Sequence, residues 1–377
     1  MANKVILAVA GAGKTYTICN SIDPEKNNLI LAFTHQNIHN INNELNKKFG
    51  KIPDNTLIMT FDSFKFRFIV SPYLPTILSC FNNESIKING ITMKEPPTQG
   101  YFSFNRYVPN LYYDKKDKLE HYIYKNKQNV NQFYLERLSE LIIFVHKRNK
   151  FLNRVINNFN LFFNSIYIDE FQDFREFDYE LIELLTPKLN NVTLVGDFYQ
   201  HSVAAKKNKG KPYEKNPTKE LFKSYLASKT INVDDTTLIK TKRCPSAICE
   251  FISKKLNIEI NADNSNDGKV YFITEPLNIK NILENENIIK LTFKESNKYN
   301  FKCINWSYSK GDTYDNVCVI LTSKFENIDL DNFKLQDIDQ STINKLYVAF
   351  TRTKGNLYVI KESVFKKIKK SYEKIIL

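Results

Sequence analysis

Residues 5–15 read Val-Ile-Leu-Ala-Val-Ala-Gly-Ala-Gly-Lys-Thr, and this stretch decides the fold of the 377-residue chain. The apolar run at its start predicts a buried strand. The glycines after it leave backbone N–H groups free to wrap around a phosphate. Lys14 is expected to reach the β- and γ-phosphates of a nucleotide, and the Thr15 hydroxyl to bind Mg²⁺. The stretch therefore predicts a nucleotide-binding α/β domain, although Ala8 stands where such loops usually begin with glycine.

A second informative stretch is residues 166–173, Ile-Tyr-Ile-Asp-Glu-Phe-Gln-Asp, in which an apolar run ends at two carboxylates. In P-loop ATPases a strand end of this kind holds Mg²⁺ with the first acid and orients the attacking water with the second. Asp169 is therefore the predicted Mg²⁺ ligand, and Glu170 the predicted base. Taken alone, the same residues are equally compatible with an ordinary strand followed by an acidic helix N-terminus.

Further apolar runs at residues 28–33, 56–60 and 194–196 also end in polar or aromatic side chains. Because such runs alternate with helical segments, we expect a parallel sheet with its ligands at the carboxyl ends of the strands. Gln200 follows the third run, so it could approach the γ-phosphate from a neighbouring strand. A solvated loop glutamine is the alternative.

The alternating pattern restarts in the second half, with strands predicted at residues 317–321 and 357–360 but without a second phosphate loop. Two arginines stand out there, Arg243 and Arg352. If this half packs against the nucleotide of the first half, both could act as arginine fingers on the transferred phosphate. Without that packing, a surface ion pair is the simpler interpretation of each.

Composition narrows the class of protein. The hydrophobic content of 42% fits a globular protein, and 54 Lys and Arg against 41 Asp and Glu give a net charge of +13. Such a balance suits a polyanionic partner, although a lysine-rich solvated surface would give the same number. The six cysteines form no C-x-x-C pair, so neither zinc nor disulfides are expected. No membrane-spanning run is visible, and we expect a soluble cytoplasmic protein.

The ordered set of motifs resembles that of superfamily 1 DNA helicases of the UvrD/Rep type. Residues 169–173, Asp-Glu-Phe-Gln-Asp, are identical to the common family form of its second motif. Eight segments carry the resemblance, in the family's order: Ala8–Thr15, Ala32–Gln36, Thr60–Phe64, Asp169–Asp173, Gly196–Gln200, Lys242–Cys244, Ser309–Asp315 and Tyr347–Arg352.

The resemblance implies an α/β fold of two RecA-like parallel-sheet domains with ATP in the cleft between them. The first would comprise residues 1–70 and 161–235, and the second residues 236–377. Residues 71–160 are far longer than an ordinary loop and show helical patterns near 131–148, so we expect a mainly helical inserted accessory subdomain there. Residues 256–302 are too few for the large second accessory domain of UvrD/Rep proteins.

The resemblance also implies roles for individual residues. The catalytic residues would be Glu170, Gln200, Arg243 and Arg352. The nucleotide, ATP, would contact Ala10, Gly11, Ala12, Gly13, Lys14, Thr15, Tyr16 and Gly311, and Mg²⁺ would bind Thr15 and Asp169. Single-stranded DNA would contact Phe33, Thr34, His35, Thr60, Phe61, Ser307 and Lys310, with Phe33 as a stacking platform.

Several positions depart from the family pattern. Only seven residues precede Ala8, so we expect the upstream glutamine motif that reads adenine to be missing. Tyr16 stands where relatives often have an arginine near the adenine, and its ring could stack on the base instead. Asp62 and Ser307 replace histidines, and the segment 201–205 lacks the usual stacking aromatics. The ATPase set is therefore intact while the DNA-contacting set is altered.

These observations favour an ATP-dependent DNA helicase or single-stranded DNA translocase, with 3′→5′ movement implied by the resemblance. Forked DNA is a possible substrate, and RNA is not excluded. Three alternatives stay open. The chain could be a DNA-stimulated translocase that unwinds little alone, a P-loop phosphotransferase acting on a small molecule, or a non-catalytic nucleic-acid-binding subunit.

Overall fold

The computed structural model describes residues 3–97, 100–103, 106–109, 114–201, 210–263 and 266–374. Two parallel β-sheets dominate it, so the predicted α/β class with two parallel-sheet domains is confirmed. The strands are β1 Lys4–Leu7, β2 Asn28–Ala32, β3 Thr56–Thr60, β4 Ile88–Thr92, β5 Gly100–Ser103, β6 Arg106–Pro109, β7 Ile123–Lys125, β8 Asn131–Tyr134, β9 Ser165–Ile168, β10 Val192–Gly196, β11 Asn232–Asp234, β12 Lys240–Thr241, β13 Asn261–Ala262, β14 Val270–Phe272, β15 Ile288–Thr292, β16 Cys303–Asn305, β17 Asn316–Ile320 and β18 Leu357–Ile360.

The helices connect these strands and cover the sheets. They are α1 Lys14–Ser21, α2 His35–Phe49, α3 Phe61–Phe64, α4 Leu74–Ser79, α5 Leu138–Asn149, α6 Leu152–Phe162, α7 Glu176–Leu185, α8 Lys219–Ser228, α9 Ser246–Leu256, α10 Pro276–Glu284, α11 Gln340–Phe350 and α12 Glu362–Ile368. Among the residues that the structure describes, no helix is long and apolar enough to cross a membrane.

The first sheet has six parallel strands in the order β11-β1-β10-β9-β2-β3. Its central strands are mostly apolar because helices cover both faces of the sheet. Every residue of β2, β9 and β10 is buried. The phosphate loop, the acids after β9 and the turn after β10 therefore all leave the same edge of the sheet, where the strands end.

The second sheet has five parallel strands in the order β14-β18-β17-β15-β16. One hydrophobic cluster joins the two domains, since it contains Ile18 and Ile41 of the first together with Leu238, Ile343 and Leu346 further along the chain. Burying apolar side chains of both domains in one cluster holds the two sheets close enough to form a cleft.

The inserted segment differs from the expectation of a mainly helical subdomain. Residues 71–160 contain helices α4 and α5 and most of α6, but also the three-stranded sheet β4-β8-β7 and the hairpin β5-β6. The helical pattern expected over 131–148 begins as strand β8 and becomes helix only at Leu138. The insertion shares its core with the first domain, because Tyr122, Phe133 and Leu141 belong to the same hydrophobic cluster as Val5.

Some sequence features fall outside the described residues. These are the aromatic residues Tyr112 and Tyr113 of the insertion and the segment 202–209 after the third motif. The six cysteines lie in the described part and are all free thiols.

Candidate nucleotide-binding cleft

The phosphate loop between β1 and α1 contacts the second domain as well as the first. Gly11 has φ +75° and Gly13 has φ +86°, in the left-handed region that glycine enters without a steric penalty. A Cβ on Gly11 would stand 2.5 Å from Thr241 Oγ1 and 2.7 Å from Arg243 Cβ. The N–H of Lys242 donates to the Gly11 carbonyl over 3.0 Å. The close approach of the two domains therefore requires glycine at position 11.

Lys14 and Glu170 face each other below this loop. The Nζ atom of Lys14 lies 3.5 Å from Oε1 of Glu170, and both side chains are largely buried. Burial acts to lower the pKa of Lys14, but Glu170, Asp197 and Asp169 together raise it above its ordinary value. Burial acts to raise the pKa of Glu170, but the charges of Lys14 and Lys310 and the hydrogen bond from Gln172 together lower it below its ordinary value. The arrangement thus keeps Lys14 as a cation and Glu170 as a carboxylate.

Thr15 and Asp169 supply the oxygen atoms for the predicted Mg²⁺ site. The Thr15 hydroxyl donates to Oδ2 of Asp169 over 2.9 Å, and Asp169 is fully buried. Burial is the main cause that raises the pKa of Asp169, and the negative charge of Glu170 raises it further. Mg²⁺ takes oxygen ligands and is commonly bound by one or two protein side chains, with phosphate oxygens and water completing its shell. The two side chains fit such a site, and a cation would offset the cost of burying the carboxylate.

Glu170 is held in place by Gln172. The backbone of Glu170 is left-handed, with φ +53°, which is uncommon for a residue other than glycine and is typical of constrained functional sites. Its carboxylate accepts a hydrogen bond from Gln172 Nε2, and Gln172 Oε1 accepts one from the N–H of Asp197 over 2.9 Å. Gly196 leaves the necessary space, because a Cβ there would lie 2.5 Å from Gln172 Oε1. The sequence shows Gln172 as part of a motif but does not indicate this positioning contact.

Gln200 lies in the turn after β10 and lines the cleft, although it is only 4% exposed. Its Nε2 donates to Oδ2 of Asp197 over 2.8 Å. The same carboxylate oxygen accepts a hydrogen bond from the Tyr347 hydroxyl over 3.2 Å. The Tyr347 oxygen accepts the N–H of Ala10 over 2.9 Å, so this amide of the phosphate loop is paired with a protein group rather than turned toward a phosphate.

Arg243 and Arg352 meet at the cleft from the second domain. Arg352 is 1% exposed, and its guanidinium donates to the carbonyl oxygens of Val348 and Asp312, over 2.9 and 3.3 Å. Arg243 Nη1 donates to the carbonyl of Thr351 over 3.1 Å. Burial, followed by the charge of Arg243, lowers the pKa of Arg352 to about 10. A half-buried and a buried guanidinium group that repel each other are suited to bind an anion.

Most of the predicted nucleotide and catalytic residues line one cleft of about 870 Å³ between the domains. Tyr16 is 52% exposed at its edge, and Lys242 Nζ lies 4.9 Å from the centre of the Tyr16 ring. Ala10 and Ala12 are buried behind the cleft. The predicted residues that line it are Gly11, Gly13, Lys14, Thr15, Tyr16, Glu170, Gln200, Arg243, Gly311 and Arg352.

Lys310 differs from its expected place on a DNA-binding surface. Its ammonium forms an ion pair with Asp173, and the side chains of both residues are largely buried and line the cleft. The pair joins the motif after β9 to the turn after β16, and so connects one domain to the other. The sequence does not indicate this pair because the two residues are 137 positions apart.

The other predicted DNA-contacting residues of the first domain fall into two groups. Phe33, Thr34 and His35 are exposed at the end of β2, where Thr34 caps α2 by accepting the N–H of Asn37. By contrast, Phe61 is 3% exposed and packs against Phe64 and Phe174, and Thr60 is buried. Phe61 is thus part of the core, and we leave it out of the nucleic-acid surface proposed below.

Two positions that depart from the family pattern have clear surroundings in the structure. Asp62, where the family has a histidine, lies 2.8 Å from the buried Nζ of Lys65, which also binds Asp178 over 2.7 Å. Ser307 is half-buried in the turn Trp306–Ser309, and its neighbour Tyr308 is 64% exposed. Tyr308 belongs to none of the motifs in the sequence. Its position two residues after Trp306, in a polar segment, is the one local pattern that could have drawn attention to it.

Two protein-family models match the chain, and each covers more than half of it. One, described as an AAA domain, matches residues 2–206. The other, described as the core domain of viral superfamily 1 RNA helicases, matches residues 145–361. No curated protein matches the chain in sequence.

Several solved structures are similar to this one at low identity. One is the complex with DNA of nonstructural protein 10, the helicase of an arterivirus. It is 13% identical, with a TM-score of 0.44, and the match covers 95% of this chain and 60% of the other. The same protein without DNA is 13% identical, with a TM-score of 0.46, and the match covers 95% of this chain and 59% of the other. The PRRSV helicase is 13% identical, with a TM-score of 0.44, and the match covers 98% of this chain and 54% of the other. The present chain thus spans only about three fifths of the length of these relatives.

Proposed function

We propose, from the premise that this chain belongs to the superfamily 1 helicases, that it hydrolyses ATP between its two domains and thereby moves along single-stranded DNA. The observation that carries the proposal is the convergence on one cleft of Lys14, Glu170 and Gln200 from the first domain with Arg243 and Arg352 from the second. A phosphotransferase acting on a small molecule would not need arginines from a second parallel-sheet domain. A subunit that only binds nucleic acid would not need the positioned carboxylate.

In the proposed reaction each residue acts on a different part of the substrate. Lys14 binds oxygen atoms of the β- and γ-phosphates, and Glu170 orients the attacking water and accepts its proton. Gln200, which lines the cleft, would contact the γ-phosphate or the water. Mg²⁺, when bound by Thr15 and Asp169, neutralises negative charge on the phosphates.

Arg243 and Arg352 link the reaction to domain movement. They would stabilise the charge that develops on the transferred phosphoryl group, and they belong to the domain opposite the phosphate loop. Bound ATP would favour the closed arrangement because it supplies the anion for both guanidinium groups. Loss of the γ-phosphate would remove that preference and allow the domains to separate.

Single-stranded DNA would lie across the exposed end of β2 and the turn Trp306–Ser309. Phe33 is 38% exposed on one domain and Tyr308 64% on the other, so both rings are available for stacking with bases. The net charge of +13 favours a phosphate backbone as the partner. The UvrD/Rep resemblance implies 3′→5′ movement, and the mixed insertion would separate strands weakly if the chain acts alone.

RNA is the second candidate substrate. The family model matching residues 145–361 is that of viral superfamily 1 RNA helicases. A protein that moves on RNA would use the same cleft, and its contacts with the 2′-hydroxyl groups of the strand would distinguish it from a DNA motor.

Unwinding of tailed duplexes tests the proposed activity. DNA and RNA duplexes with a 3′ tail, a 5′ tail or a fork are incubated with the protein, ATP and Mg²⁺, and strand separation is measured by fluorescence. We expect separation of 3′-tailed and forked DNA that depends on ATP. Preference for the RNA series would select the second candidate. A lack of unwinding and of ATP-dependent movement on every substrate would contradict the proposed function.

A further inference from the structure

Tyr347 occupies a place that its motif does not explain. It lies on α11 of the second domain and is fully buried, yet its hydroxyl group contacts the first domain twice. The oxygen accepts the N–H of Ala10 in the phosphate loop over 2.9 Å, and the O–H donates to Oδ2 of Asp197 over 3.2 Å. One side chain of the second domain therefore bridges two segments of the first.

From Asp197 the hydrogen bonds continue to the residues proposed to act on the γ-phosphate. Oδ2 of Asp197 also accepts Gln200 Nε2 over 2.8 Å, so Tyr347 and Gln200 share one acceptor atom. The N–H of Asp197 donates to Gln172 Oε1 over 2.9 Å, and Gln172 Nε2 donates to the carboxylate of Glu170. The chain of contacts thus runs from α11 to both Gln200 and Glu170.

The helix that carries Tyr347 also leads to the arginines. Arg352 follows the end of α11 by two residues, and the Thr351 carbonyl accepts Arg243 Nη1 over 3.1 Å. One turn before Tyr347, the Nδ2 atom of Asn344 lies 3.4 Å from Nδ1 of His201, next to Gln200. Because a helix moves as a rigid unit, displacement of the second domain shifts the arginines and the Tyr347 hydroxyl together.

We propose that Tyr347 is a positioning residue that places Gln200 and Glu170 for hydrolysis only when the second domain is seated against the first. The proposal rests on the proposed ATPase activity and adds to it a residue that touches no substrate. With the hydroxyl in place, Asp197 is fixed and orients Gln200. When the domains separate, the bridge breaks, and the first domain alone holds the catalytic groups less well.

The test is Tyr347→Phe, which keeps the buried ring and its contact with Tyr199 at 5.8 Å but removes the hydroxyl. We expect kcat for ATP with single-stranded DNA to fall about tenfold, the usual order for losing a buried positioning hydrogen bond. KM should change less than about twofold, because the side chains of Lys14, Arg243 and Arg352, which would bind the phosphates, are not altered. In a Gln200→Ala background the same change should cost clearly less than in the parent protein, because only the route through Gln172 to Glu170 then remains.

Two further variants separate this role from simple loss of structure. Asp197→Asn changes the carboxylate that accepts hydrogen bonds from both Tyr347 and Gln200, and it lies in the first domain rather than the second. This variant should show the same loss of kcat. Tyr358→Phe makes the same chemical change on β18, where the ring stacks on Tyr271, and should leave kcat unchanged.

The outcomes distinguish this proposal from the one on which it rests. An active parent protein combined with an unchanged kcat for Tyr347→Phe would overturn the positioning role and leave the proposed function intact. So would a loss that simply multiplies with that of Gln200→Ala. A parent protein without any hydrolysis would overturn both proposals.

Discussion

At the scale of single residues, the charge on Glu170 depends on its immediate neighbours. Lys14 lies 3.5 Å away and lowers the pKa of the carboxyl, against the effect of burial. Gln172 donates to the same carboxylate, and the left-handed backbone sets its direction. A carboxylate that is ionised, oriented and buried beside a phosphate loop has the properties of a general base.

Glu170→Gln should therefore remove hydrolysis while nucleotide binding remains. The amide keeps the shape of the side chain but cannot accept a proton, so we expect kcat to fall by about 10²- to 10⁴-fold. The measurements are steady-state hydrolysis and the Kd of a fluorescent ATP analogue. Glu180→Gln on α7, where the carboxylate pairs with Lys147, is the matched control and should behave like the parent protein. Retained turnover in Glu170→Gln would exclude this carboxylate as the base.

At the scale of elements, the carboxyl end of β10 determines how closely the second and third motifs approach each other. Gly196 ends this strand, and the backbone there passes so near Gln172 that no side chain fits between them. The position of Glu170 thus depends on a glycine in another strand.

Gly196→Ala should lower both activity and stability. The added Cβ would stand 2.5 Å from Gln172 Oε1, so Gln172 must move and release Glu170. Overpacking of this kind costs about 1–3 kcal/mol, and we expect a lower Tm together with a lower kcat. Gly50→Ala at the end of α2 is the control for stability. An added Cβ meets no neighbouring atom there, but the φ of +75° disfavours alanine, so this variant should lower Tm without changing kcat. Equal kcat in the two variants would show that the contact has no role in catalysis.

The elements also show where sequence reasoning succeeds. The sequence predicts several strands of the two large sheets closely, because a continuous apolar run is typical of a strand in a parallel sheet. Thr56–Thr60 and Leu357–Ile360 match their predicted bounds. The strands β4, β7 and β8 of the insertion are not predicted because they are short and partly exposed, so their apolar residues form no continuous run. Strand β4, for example, has no fully buried residue.

At the scale of the whole molecule, the cleft depends on contacts between residues that are distant in sequence. The sequence identifies Lys14, Glu170 and Arg352 through their motifs, but it does not indicate the partners that hold them. Ala10 and Tyr347 are 337 positions apart, and no local pattern predicts their hydrogen bond. The ion pair of Lys310 cannot be predicted from a local pattern either, because its partner Asp173 belongs to the other domain.

The packing of the two domains accounts for the cleft. Side chains from both belong to one hydrophobic cluster, and the phosphate loop itself is bonded to the second domain through Lys242. This packing places the arginines close to the phosphate loop. Small movements about this contact would be enough to bring them to a γ-phosphate or take them away.

The central claim is that ATP is hydrolysed between the domains, and Arg352→Ala tests it most directly. Three proteins are compared: the parent, Arg352→Ala and the control Arg154→Ala, whose side chain is exposed on α6. For each, ATP hydrolysis is measured with and without single-stranded DNA, and the Kd of a non-hydrolysable ATP analogue is determined. The account predicts DNA-stimulated hydrolysis by the parent and the control. In Arg352→Ala it predicts a loss of about 10³-fold or more in kcat, with affinity reduced far less. Hydrolysis by Arg352→Ala at the parent rate would contradict the account.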